Sequence, residues 1–76
     1  MQEEQLLAHI AEALQREDPL EPGMLLDSIE EWDSLAIVSL MALYDNLFGL
    51  VITGTSLRNC KSVNDLLALA KGSGLD

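Results

Sequence analysis

At 76 residues with a formal net charge of -9, the chain is one small acidic domain. A chain of this length buries only about 60% of the surface its unfolded form exposes, which leaves little room for a deep site of buried polar groups and argues against a self-sufficient enzyme. Four Lys and Arg against 13 Asp and Glu make nucleic acid and anionic membranes poor partners, since cations on the protein carry both kinds of binding, and leave basic protein surfaces as the complement.

The single cysteine, Cys60, excludes an intrachain disulfide. Met1-Gln2-Glu3-Glu4-Gln5 is acidic and polar and lacks the basic and apolar regions of a secretory signal. No apolar run approaches a membrane span. These features predict a cytoplasmic monomer with no membrane insertion.

From about Gln2 to Gln15, Leu6, Leu7, Ile10, Ala11 and Leu14 fall on one face, which is the helical period. Pro19, Pro22 and Gly23 then break the pattern. Leu20, Met24, Leu25, Leu26 and Ile29 recur through this long acidic stretch and predict an ordered loop pinned over the core, with room for a short helical turn. A second helix is expected from Asp33, its N-cap, to about Phe48, with Gly49 ending it. Trp32 before the cap and Ile37 inside the helix have the spacing of a hydrophobic staple.

Leu50-Val51-Ile52-Thr53 is apolar and β-branched, but it has no partner strand and reads as an extended buried connector. Thr55 to Cys60 can form a short helix, capped by Thr53 or Thr55. Ser62 caps a last helix, and Asp65 stands at the capping-box position. Val63, Leu66, Leu67, Leu69 and Ala70 form its apolar face, and Lys71 and Gly72 close it. The fold predicted is all-α: a small four-helix bundle of three main helices and a short third one, with a long ordered loop between the first two.

The second helix holds more apolar surface than a domain this small can bury. Ile37, Leu40, Met41, Tyr44 and Phe48 follow a core-facing spacing. Leu35, Val38 and Ala42 lie on another face, next to Ser34, and are expected to stay exposed. An apolar patch with acids at its rim suggests a partner surface.

The segment Trp32-Asp33-Ser34-Leu35-Ala36-Ile37-Val38 resembles the prosthetic-group site of acyl carrier proteins, whose core signature is an Asp-Ser-Leu triplet opening the second helix. The resemblance runs from about Leu6 to Ala70 and takes in the long loop, the apolar Ile52 before the short helix, and Val63 opening the last. It implies that a phosphopantetheinyl transferase moves 4'-phosphopantetheine from coenzyme A to the Ser34 oxygen, with Asp33 and Leu35 flanking it. It implies a terminal thiol holding acyl groups as thioesters and presenting them to acyl-transferring or synthase enzymes. A phosphodiester beside the positive end of a helix is favourable by about 0.3–1 kcal/mol. Ser28, in Asp27-Ser28-Ile29, is a decoy, because Glu30 and Glu31 follow it instead of an apolar helix.

Carriers of fatty-acid synthesis usually have several acids along the second helix. Here Ala36 and Ser39 stand at such places, and Asp45 alone remains well inside the helix. Docking is therefore expected to use Leu35, Val38 and Ala42, with charge from Glu30, Glu31, Asp33 and Asp45. That suggests a specialised carrier, in polyketide, nonribosomal-peptide or modified-lipid synthesis. An aminoacyl or peptidyl carrier shares the chemistry. The alternative from another class is a small helical interaction module in which Ser34 only starts a helix. His9 has no second histidine or neighbouring nucleophile and Cys60 reads as a core residue. The acidic loop lacks the spacing of a calcium site, so no catalytic or metal-binding residue is expected.

Overall fold

The helices form where apolar spacing and local caps agree. A computed structural model of the chain describes residues 1–75. Its helices are α1 (Glu3–Ala13), α2 (Ser34–Phe48), α3 (Gly54–Arg58) and α4 (Val63–Ala70), with a 3-10 turn at Leu26–Ser28. Among the described residues there is no strand, only two isolated bridges, Leu25 with Ser62 and Lys71 with Leu75. The described residues are all-α, and no helix among them is long and apolar enough to cross a membrane.

α1 stops short of Gln15. Gln15 adopts the left-handed conformation at φ 57°. Its amide donates to the Glu12 carbonyl at 3.0 Å, and the Arg16 amide donates to Ala11 at 2.9 Å. That is the Schellman pattern, with glutamine where glycine is usual. α2 begins where expected: the Asp33 carboxylate accepts from the Ala36 amide at 2.9 Å. It ends at Gly49, whose φ of 67° suits a residue without Cβ. Thr53, not Thr55, caps α3. In α4, Ser62 Oγ accepts from the Asp65 amide while the Asp65 carboxylate accepts from the Ser62 amide. The same carboxylate accepts from Lys61 at 2.8 Å.

One core joins these elements. Leu6, Ile10, Leu40, Tyr44, Leu57, Val63, Leu66 and Ala70 are wholly buried, and α2 packs on both α1 and α3. The Tyr44 hydroxyl donates to the Leu66 carbonyl at 2.6 Å, which locks α2 to α4. Met41 and Phe48, expected in the core, are only half-buried. Phe48 meets the Tyr44 ring edge to face at 5.6 Å and lies beneath Gly74, where a Cβ would come within 2.8 Å of its ring.

The stretch between α1 and α2 is pinned as expected through Leu20, Leu26 and Ile29, all buried. Its backbone is also bound to the start of α4: Leu26 donates to Lys61, Val63 to Met24 and Asn64 to Pro22. Leu25 departs from the expectation. Its side chain is 59% exposed, because its backbone, not its side chain, holds the bridge to Ser62. The connector after α2 is likewise not buried throughout. Extended backbone alternates its side chains, so Ile52 turns inward while Val51 is 91% exposed. Beyond α4, Gly72 reverses the chain at φ 88° and Leu75 returns to the core.

Candidate functional site at the start of α2

Asp33 and the loop before it position Ser34. The Asp33 cap fixes the first turn, so Ser34 is the first helical residue and is exposed. Its hydroxyl makes no hydrogen bond to any described residue. Ser28 differs: its Oγ donates to the Leu25 carbonyl at 2.6 Å inside the 3-10 turn. Both serines are exposed, and they differ in that only the Ser28 hydroxyl is engaged with the backbone.

The loop reaches Asp33 through an ion pair that the spacing of the sequence did not reveal. Arg16, just past α1, places its guanidinium 3.0 Å from Glu31. A backbone hydrogen bond and then the Arg16 guanidinium hold the Glu31 carboxyl below the usual range. Glu31, expected to supply docking charge, pairs with Arg16, and the Asp33 carboxylate serves the helix cap. Glu30 and Asp45 are exposed and form no ion pair with any described residue.

Leu35 is 72% and Val38 61% exposed, and Ala42 is exposed beside them. This stripe runs between two grooves. One, of about 440 Å³, lies toward α1 and is lined by Leu14, Gln15, Asp33, Leu35 and Ser39 among others. The other, of about 370 Å³, is lined by Val38, Met41, Ala42, Asp45, Val51 and Ile52 together with Leu50. Ser34, Val38, Met41 and Asp45 recur at helical spacing, so Ser34 shares a face with the second groove.

Comparison of the chain with family models, with curated proteins and with solved structures returned no match. The site therefore rests on its residues.

Ala36 is buried, so a carboxylate there would lose its hydration. Ser39 is only half-buried and carries no such constraint. Among the described residues, no three His, Cys, Asp or Glu side chains converge on a point that could hold a metal. Cys60 packs partly against the core, with Sγ near the Ser56 carbonyl at 3.4 Å. Burial first, and the nearby Asp65 charge second, raise its thiol above the ordinary value. That suppresses the thiolate a reactive cysteine needs.

Proposed function

We propose that this chain is an acyl carrier protein in which four helices form a bundle and Ser34 bears 4'-phosphopantetheine. The observation that carries the reading is the Ser34 hydroxyl: exposed, unpaired among the described residues, and fixed at the first turn by the Asp33 cap. The phosphodiester would stand beside the partial positive charge of a 15-residue helix. The face that Ser34 shares with Val38 and Met41 gives the arm an apolar groove to lie along. In this reading the chain is not itself an enzyme. It is a cytoplasmic monomer that presents thioesters to transferases and synthases with basic and apolar docking surfaces, in specialised lipid, polyketide or nonribosomal-peptide synthesis.

Incubation with coenzyme A, magnesium and a broad-specificity phosphopantetheinyl transferase, followed by intact mass, tests this. One phosphopantetheine should be added, lost in Ser34→Ala and kept in Ser28→Ala. No addition with several transferases would reject the carrier reading. It would leave the interaction module, which the exposure of Leu35 and Val38 favours as the second reading.

A further inference from the structure

A groove of about 550 Å³ opens between α1 and the Arg16–Leu20 stretch, lined by no residue of α2. Its floor is apolar: Leu7, Ala8, Ala11 and Leu20. The stripe of α1 that fills the core is Leu6, Ile10 and Ala11, continued by Leu14 at the C-cap, so Leu7 and Ala8 belong to a second, incompletely covered face. Ala8 and Ala11 are one turn apart and small, which lets another helix axis approach closely. The rim is acidic, with Glu4, Glu12, Glu17 and Asp18 all exposed. The one cation at the groove, Arg16, is already paired with Glu31. The rim thus keeps its full negative charge.

An apolar floor inside a uniformly acidic rim selects a ligand with aliphatic anchors flanked by cations. We propose that this groove docks a basic amphipathic helix of a partner protein, seating aliphatic side chains on Leu7, Ala8, Ala11 and Leu20 while its Lys and Arg face the rim. Helix-in-groove recognition uses such anchors at one-turn spacing, and charge complementarity sets its encounter rate and register. The surface is separate from Ser34, so a partner held here leaves the start of α2 free.

The test uses the full chain and a synthetic amphipathic Leu/Lys helical peptide, with a Ser/Lys peptide of equal charge as control. Amide shifts on titration should map to Leu7, Ala8, Ala11 and Leu20. The Ser/Lys control should bind at least about tenfold more weakly, since charge alone does not fill the floor. The Glu12→Lys/Asp18→Lys double variant should weaken binding by about tenfold or more. Ala8→Arg, a single change at an exposed position, should do the same and serves if the double variant fails to fold. Shifts centred on Leu35, Val38 and Ala42, equal affinity for the two peptides, or no saturable binding would each overturn the proposal.

Discussion

Arg16 holds Glu31 at 3.0 Å and so ties the residue just past α1 to the loop two residues before the Asp33 cap. The Arg16 side chain is 16% and that of Glu31 33% exposed, so the pair is partly shielded from salt. Glu31→Gln should lower the melting temperature and speed amide exchange at Trp32 and Ile37, whose amides donate to Ile29 and Asp33. The deficit should narrow as salt rises. Unchanged exchange at these amides would mean that the pair does not position the start of α2.

The cap itself is the next determinant. Asp33→Ala removes the acceptor of the Ala36 amide and should cost about 1 kcal/mol. Asp33→Asn keeps an acceptor and should cost less. Thermal unfolding of the two variants separates capping from charge, because equal losses would point to the charge alone.

Much of this site was readable locally. Asp33, Gly49 and Ser62 end or begin helices through contacts within a few residues, and those rules act on sequence neighbours. The exposure of Leu35 and Val38 followed from counting apolar residues on one helix. Features that depend on distant contacts were not readable. Leu25 and Val51 carry strongly apolar side chains yet point outward, since the backbone pairing with α4 and the alternation of the connector decide their direction. Arg16 gives no periodic signal of its link to Glu31. Leu75 is buried only because Gly72 turns the chain back. Gln15 has no preference for the left-handed region; the close of α1 imposes it.

That conformation yields a stabilising substitution. A non-glycine residue in the left-handed region costs about 1 kcal/mol, and glycine loses about 0.5 kcal/mol to its freer unfolded state. Gln15→Gly should therefore gain about 0.5 kcal/mol and raise the melting temperature by roughly 2–4 °C. Gly49→Ala is the mirror experiment. No atom lies within 4 Å of the added Cβ, so the expected loss is purely conformational and by the same two contributions about 0.5 kcal/mol.

Tyr44→Phe keeps the ring and removes only the hydroxyl that donates to Leu66. The expected loss is about 1 kcal/mol near neutral pH. Burial raises the Tyr44 hydroxyl well above its ordinary value of 10.0, so the folded state holds its proton where the unfolded chain releases it. This stabilisation is present below about pH 10 and fades as pH rises beyond it. The advantage of wild type over Tyr44→Phe in chemical denaturation should shrink above pH 10, and a constant gap would contradict the buried hydroxyl.

At the acid end, Asp65 controls the start of α4. The Lys61 amide first, and then the Ser62 amide, hold its carboxyl below the usual range. A group whose folded value is depressed stabilises above its unfolded value and loses that contribution as pH falls through the folded one. Asp65→Asn should therefore melt lower than wild type at pH 7, and the two should converge below about pH 4. Wild type itself need not fall steadily across this range. Protonation of the other carboxylates relieves repulsion in a chain of net charge -9, which opposes the loss at Asp65. Comparing the pair at each pH cancels that shared term. Added salt should raise both melting temperatures at pH 7 by relieving the same repulsion, and two parallel melting curves from pH 7 to 3 would refute the role of Asp65.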